Sequence, residues 1–575
     1  MSTNSSRSHT FEGNTVPKAT RLIFPWSGIF RDACYALIGT FLMQYAITAG
    51  VLSTNSSDFK AQYGVITIAM IIALVWDGIN DPLMGFILEK CHFKSGKFRP
   101  WILWGSLGNA LVVASMFFMP FIFSGLRGWG YVVFMIIMYI LWDAFFSMND
   151  IGYWSMLPAL TSDPQQRAKL TTHTAIAASI GTFVMNIMMF VLPGAGLGST
   201  IQVYMMAAIG VAALFFVSQL LIYIYCKEKS RDLEQEEISE HSSILDLFRV
   251  IKKNKQLLFA ALGMGLYYLG SFILTGIGQN YFYMVYGYGG GKGGMVATAI
   301  AAIYVLATVL AQAFYPMLAK KFKRKQILTV SAIIIFVAYL AFFLIAFPVF
   351  GDKPIAWNTP DGSNIFWVFG GSMSLLYVMS FLFFGASGIF YLAVLVMFQD
   401  AIDYGELMTG ERKESICFAW RPLDVKLASG LNRGLQYLVY ALTGTALAIN
   451  TISNMEGDYN AYLNSADFAA LSKAEQDAYR NGFPATVDDA ISVERWQLIL
   501  FGVIVIGVIL LVFAASYILL RFCYKLDEDK VKEVLAKLEE KHKSEEVADT
   551  DKLAFESIGG EPSAAASEGN KPKEE

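Results

Sequence analysis

The chain has 575 residues, of which 55% are hydrophobic and 16% charged, with a mean hydropathy of +0.47 and a net charge of -3. A soluble protein of this size has no need of so many uninterrupted apolar runs, and the acids and bases are segregated into loops and tails. Nothing in that balance points to a nucleic-acid partner. Five cysteines (Cys34, Cys91, Cys226, Cys417, Cys523) are an odd number without framework spacing, so disulfides are not expected. Residues up to about Thr20 are polar and lack the apolar core of a signal peptide, so no cleavage is expected.

Windows of about 20 apolar residues, the length that spans a bilayer, give twelve candidate helices. They run roughly 28–52, 63–89, 101–123, 129–158, 170–193 and 201–225, then 257–285, 296–318, 327–350, 365–397, 427–452 and 497–522. The expected organisation is a tail (1–27), a six-helix bundle (28–225), a charged connector (226–256), a second six-helix bundle (257–522) and a tail (523–575). Within the connector, SILDLFRVIKK has an apolar stripe opposed by lysines, as for a short helix on the membrane surface. The tail from Lys525 is first amphipathic (Leu526, Val531, Val534, Leu535, Leu538), then rich in Ser, Gly and Glu.

Lys and Arg fill the first tail, the 90–99 loop, the connector and the 320–325 loop, whereas the loops near 53–62, 193–200 and 351–364 carry almost none. The positive-inside rule then makes both termini cytoplasmic in a multi-pass cell-membrane protein. The longest outside loop, about 453–495, is acidic and helix-prone and reads as a small cap over the last two helices. In each half a basic loop follows the second helix and the fourth helix ends in an acid-containing exit (Asp150 to Arg167, Asp400 to Arg412). Six plus six helices in parallel repeats describe an all-α major facilitator fold, with its site between the halves near mid-membrane.

The stretch VWDGINDPLMGFILEKCHFKSGKFRP (Val75 to Pro100) puts Asp77 and Asp81 four residues apart in an apolar run, on one helical face with Cβ atoms about 5–6 Å apart. Pro82 removes the N–H that would bond the Gly78 carbonyl, so a kink is expected. A charge at mid-bilayer costs about 2.5–3.5 kcal/mol on insertion scales, so such acids line a pathway or bind an ion. In the fourth helix Asp143, Ser147, Asp150 and Trp154 form one stripe. Asp150 would complete an oxygen cage with Asp77, Asp81, the Asn80 amide and the Ser147 hydroxyl, suited to a hard cation; the same crowded acids would equally carry a proton. The alternative is an inner latch in which these acids pair with loop lysines. Arg31 and Asp32, near the start of the first helix, read either as ligands for sugar hydroxyls or as an interfacial ion pair. Trp154 offers a flat face for a sugar's C–H surface, with Tyr391 a weaker candidate. Arg421 and Lys426 lie five apart with Asp424 between them.

No H-E-x-x-H, zinc spacing, Walker A or G-x-S-x-G motif appears in the context it would need. A membrane enzyme would need catalytic acids in a sizeable outside loop; here they lie within helices, so no enzyme and no cofactor is expected.

DGINDPLMG with GKFRPWIL, then NDIGYWSMLPALT, then DYGELMTGERKESI, resemble the motifs of the glycoside–pentoside–hexuronide:cation symporters over about residues 28 to 450. The resemblance implies symport of a glycoside with Na⁺ or H⁺. By position, Asp77, Asp81 and Asp150 match the family's cation carboxylates, with Asn80 and Ser147 at neighbouring polar positions. Arg31, Asp32, Asp150 and Trp154 match its sugar contacts, and Lys426 a lysine near both sites. Three positions depart from the pattern: Ala175 replaces a sugar-binding arginine, Arg421 a neutral amide and Asp143 a glycine. Arg421 is expected to supply the missing guanidinium from the other half, with Asp143 across the cavity, an arrangement that would also suit a hexuronide carboxylate. The expected partners are thus a small sugar, a coupling cation and the bilayer, for a monomeric carrier.

Overall fold

The computed structural model describes residues 16–90, 93, 95–161, 164–193, 197–228, 254–289, 291–361, 364–409, 420–538 and 540. Among them there is no strand, only an isolated bridge between Phe93 and Gly96. Helix α1 is built from Lys18–Ala36, a π turn at Leu37–Phe41, and Leu42–Thr48. Then come α2 (Ser56–Lys90), α3 (Arg99–Ile122), α4 (Trp129–Leu160), α5 (Pro164–Val191) and α6 (Thr200–Tyr225). The second half holds α7 (Lys255–Tyr286), α8 (Gly293–Lys321), α9 (Arg324–Ala346), α10 (Met373–Thr409), α11 (Trp420–Thr443), α12 (Ala446–Leu463), α13 (Ala466–Ala470), α14 (Lys473–Ala490) and α15 (Arg495–Ile518, closed by a π turn at Leu519–Cys523).

Among the described residues eight helices are long and apolar enough to cross a membrane: α3, α4, α6 to α10 and α15. A ninth appears if α11 and α12 are taken as one span bent by 103°. The others, α1, α2 and α5, carry polar residues within the run: Arg31, Asp32 and Gln44 in α1, Asp77 and Asp81 in α2, His173 and Asn186 in α5. Two of these three, α1 and α2, carry residues of the expected candidate site. Helix α2 runs unbroken through Pro82; its 35 residues would reach about 52 Å, well beyond the ~30 Å hydrocarbon layer.

Helices α1 to α6 pack on one another, as do α7 to α11 with α15. The bundles meet where α2 packs on α11 and α5 on α8. A shared detail marks the repeat. Glu228, just past α6, accepts the Lys97, Phe98 and Arg99 amides at 2.8, 2.8 and 2.9 Å, closing the start of α3. Glu528, past α15, accepts the Arg324 amide at the start of α9, where the Arg324 guanidinium also pairs with Asp400 of α10. In both bundles a carboxylate from beyond the last helix occupies the N-terminus of the third, where helix dipole and free amides favour an anion. The described parts of the two basic loops are therefore tied to their own bundles.

The eleventh helix differs from expectation, running over Trp420–Thr443 rather than 427–452. Gly444, at φ +71°, takes the left-handed conformation that ends it, and Gln497 donates to the freed Thr443 carbonyl at 3.2 Å. The chain then turns into α12, and α12 to α14 form the cap around a small core of Tyr283, Tyr288, Ile452, Tyr459, Phe483 and Val487. The cap was expected over the last two helices; α12 also reaches α1, α2 and α6 of the first bundle. Gly50, at φ +68°, lies so close to Gly457 that a Cβ would stand 2.4 Å from its backbone. The connector helix, residues 1–15 and the tail beyond 540 fall outside the described residues. Helix α1 already begins at Lys18, within the stretch expected as a tail, and 528–538 is helical, with Val531, Val534 and Leu538 buried but Leu535 exposed.

Glu456 of α12 is the centre of the cap contact. Its carboxylate accepts the Thr200 amide and hydroxyl of α6, each at 2.7 Å, and the Tyr288 hydroxyl. Ser199 donates to Asn460 at 2.9 Å beside it. Burial pushes the Glu456 carboxyl up to about 7, against an ordinary 4.5. Below about 4.5 the group is protonated whether docked or free; as pH rises the free carboxyl ionises first, so docking weakens up to about 7 and then levels off. The full effect is on the order of 3 kcal/mol. The difference in unfolding midpoint between the wild type and Glu456→Gln, followed in detergent from pH 4.5 to 8, is expected to change through this window and be flat above it.

Candidate functional site

Arg31 is the hub of the first bundle. Its side chain is 2% exposed, 13 residues into α1, and every partner comes from α1 or α4. Nε and Nη2 donate to one Asp32 oxygen at 3.1 and 2.8 Å, and Nη1 lies 3.2 Å from Asp150 Oδ1. The guanidinium carbon stands 4.2 Å from the ring centre of Tyr153 and 5.2 Å from that of Trp154. These two rings meet edge to face at 89°, so the cation fills an aromatic corner. Tyr153 is anchored behind it: its hydroxyl donates to the Phe24 carbonyl at 2.8 Å and its ring stacks on Phe24 at 4.5 Å.

Exposure divides this cluster by role. Arg31 is enclosed, whereas the Asp32 and Asp150 side chains are 20% and 36% exposed and Trp154 is 39% exposed. Asp150 lies about 15 Å along α4 from its end at Leu160. A carboxylate there meets water rather than lipid, because lipid exposure of a charge costs several kcal/mol. The result is a wet face of two acceptor carboxylates beside an indole plane, held in position by a buried cation. Such a face accepts hydroxyl hydrogens and stacks on an apolar C–H surface.

The structure brings Arg31, Asp32, Asp150 and Trp154 together as one group. Nearer the cap, Asn80 of α2 donates to Asp143 of α4 at 3.2 Å, and both are buried. Ser147, also buried, lies one turn from each of Asp143 and Asp150 on α4. Asp143 was expected opposite Arg421; its described bond is the one from Asn80 of its own bundle. Asp77 and Asp81 flank Asn80 on α2, but their side chains, like that of Arg421 on α11, lie outside the described residues. In the second bundle the Tyr268 hydroxyl donates to Tyr391 at 3.1 Å, and the Tyr267 ring stacks on Tyr391 at 5.2 Å, making an aromatic wall. Lys426 is half-buried on α11.

Three groups here were not singled out from sequence. Tyr153 was overshadowed by its neighbour Trp154, which completes the α4 stripe. Gln44 of α1 and Asn280 of α7 form a reciprocal amide pair at 2.6 and 3.0 Å, and Asn280 also donates to Tyr440 at 2.7 Å. Arg433 of α11 is buried against the other bundle. The reasoning that selected Asp77, a charge within an apolar span, selects Arg433 equally.

Two helical bundles joined by short contacts, with charged residues buried at mid-span, define the class: a membrane carrier of the major facilitator fold. The profile of the family described as MFS/sugar transport protein matches residues 54–459, and the chain belongs to it, within the glycoside–pentoside–hexuronide:cation symporters. It is 26% identical to the lactose permease of Lactobacillus delbrueckii subsp. bulgaricus, over 76% of this chain and 65% of the permease. It is 25% identical to the raffinose carrier protein of Pediococcus pentosaceus, over 74% and 62%. The chain thus spans less than two thirds of these two relatives. With the isoprimeverose transporter of Lactiplantibacillus pentosus it shares 23% identity over 76% of this chain and 85% of that one. The fold is similar to that of a bacterial homologue of the human lysosomal transporter Spinster, with a TM-score of 0.52 at 13% identity over 87% and 95% of the two chains.

Removing the hub cation leaves two acids crowded at one site. Arg31→Gln is expected to lower stability by about 3 kcal/mol, the scale of breaking a buried pair. Arg31→Lys, which keeps the charge but not the forked geometry, is expected to lose less. Thermal unfolding of the purified protein in detergent measures both.

Proposed function

We propose that the chain carries a glycoside across the cell membrane together with Na⁺ or H⁺, by alternating access between the α1–α6 bundle and the α7–α11 and α15 bundle. The observation that carries this reading is the division within the Arg31 cluster: a buried cation holding two wet carboxylates beside an exposed indole. Hydroxyl-rich, C–H-faced molecules match that surface, as sugars do. The family's relatives, named as carriers of lactose, raffinose and isoprimeverose, support the same class.

In this reading α1, α2, α5 and α11 also span the bilayer, giving twelve spans, and the basic end with both termini is cytoplasmic. The cap then lies outside, and the contacts of Glu456, Gln44 and Asn280 keep the outer side shut. The exposed Asp32, Asp150 and Trp154 face an inward opening. Tyr391, Lys426 and Arg421 supply the opposite wall. The carrier works as a monomer and needs no cofactor.

The coupling ion is bound by Asp77, Asp81 and Asp150, with the Asn80 amide and Ser147 hydroxyl as neutral neighbours. Asp150 belongs to both groups, since it contacts Arg31 through one oxygen and is a third exposed. An ion drawn to Asp150 relieves the repulsion among the acids and fixes the carboxylate that meets the sugar. Each ligand then raises the other's affinity by the same factor.

Uptake into vesicles of labelled neutral glycosides and uronides, under a sodium or a proton gradient imposed separately, tests the reading. Accumulation of a neutral glycoside against its gradient is expected under one of the two. Asp77→Cys is expected to abolish accumulation while leaving downhill exchange measurable; undiminished accumulation would remove Asp77 from the coupling site. No uptake of any sugar would refute the transport reading itself.

A further inference from the structure

Arg433 is a full charge near the middle of α11, 7% exposed, about 20 Å from one helix end and 15 Å from the other. Its described hydrogen bonds go to the opposite bundle: Nη1 to the Tyr139 hydroxyl of α4 and Nη2 to the Gly39 carbonyl of α1, both at 3.3 Å. Charge-assisted hydrogen bonds normally close to about 2.7–2.9 Å, so these two are long and readily exchanged. The Gly39 carbonyl lies in the π turn Leu37–Phe41, a break in helix register of the kind that recurs at functional sites.

Both partners lie on the faces that build the candidate site. Tyr139, Asp143, Ser147, Asp150 and Trp154 follow one another at spacings of 4, 4, 3 and 4, so Tyr139 is the member of the α4 stripe nearest the cap. Gly39 is seven residues, two turns, beyond Asp32 on the same face of α1. Arg433 therefore stands about 10 Å from the Asp32 level toward the cap, on the opposite wall of the same cleft.

We propose that Arg433 is a specificity-determining residue that hydrogen-bonds the second ring of a di- or oligosaccharide whose first ring lies against Trp154, Asp32 and Asp150. This rests on the sugar-transport reading and extends it from one ring to two. When the bundles part at the cap end, the guanidinium leaves Gly39 and Tyr139 and exchanges those acceptors for sugar oxygens. In the closed arrangement the same acceptors keep the charge partnered. Recognition of the second ring and closure above it thereby use one side chain.

The test compares transport of labelled lactose and of methyl β-D-galactoside by the full chain in proteoliposomes. In Arg433→Gln the ratio of KM for lactose to KM for the methyl glycoside is expected to rise roughly ten- to hundredfold, the range for a lost hydrogen bond to a charged group. Arg433→Lys is expected to restore part of the ratio. Arg433 acting only as a strut would change both sugars alike, and an unchanged ratio overturns the proposal. Tyr139→Phe removes a competing acceptor and is expected to lower KM for lactose; if Arg433→Gln fails to insert, an unchanged or raised KM here overturns the proposal. Uptake of the methyl glycoside but not of lactose by the unmodified protein overturns this inference alone, whereas uptake of no labelled glycoside at all refutes the transport reading and this inference with it.

Discussion

A guanidinium inside a membrane bundle is tolerated only when acceptors surround it, and Arg31 meets that condition with two carboxylates and two ring faces. The constraint propagates outward. To place Asp32 and Asp150 around one cation, α1 and α4 must meet at a fixed height; Tyr153 sets that height through the Phe24 carbonyl. Once fixed, the two acids cannot turn away, and their partly exposed carboxylates stand beside the exposed Trp154 indole. The cation is needed less for contact than for holding a negative surface in a place where unpaired acids would take up protons.

The same reasoning shows what α4 does in the first bundle. One stripe carries Tyr139, Asp143, Ser147, Asp150 and Trp154 and meets three neighbours: Tyr139 meets Arg433 across the interface, Asp143 meets Asn80 on α2, and Asp150 and Trp154 both meet Arg31 on α1. A rigid helix with that stripe transmits position along its length. Whatever binds at Asp150 would thus bear on the same element that Arg433 touches at Tyr139, three steps along the stripe.

Much of this was legible in the sequence, for physical reasons that also explain what was not. Apolar length located most of the helices, because a single segment in lipid satisfies its own backbone only as a helix. Spacing located the α4 stripe, because helical periodicity is insensitive to what packs behind it. Helix α11 was misread at both ends: its inner portion is polar, and Gly444 turns an apolar run that continues into the cap. The cap itself was legible as a helical insertion, but its reach to α6 was not, since Glu456 finds Thr200 across 256 residues of sequence. Arg31 was read as a direct ligand or an interfacial pair. Only its depth, and the ring of Tyr153 behind it, reveal a cation enclosed by its partners.

The stacked contacts at the cap end bear on the tempo of the cycle. Glu456 with Thr200, Gln44 with Asn280, and Arg433 with Gly39 and Tyr139 are three successive locks, and all are engaged with the site exposed on the opposite side. An empty carrier in this state must undo each of them before it can take up cargo again, without any ligand to offset the loss. If the proposed sugar transport and inward opening hold, the unloaded return is the slow leg. Such a carrier would swap sugar for sugar faster than it imports it and would rest facing the inner side, where a rise in internal sugar would slow further entry.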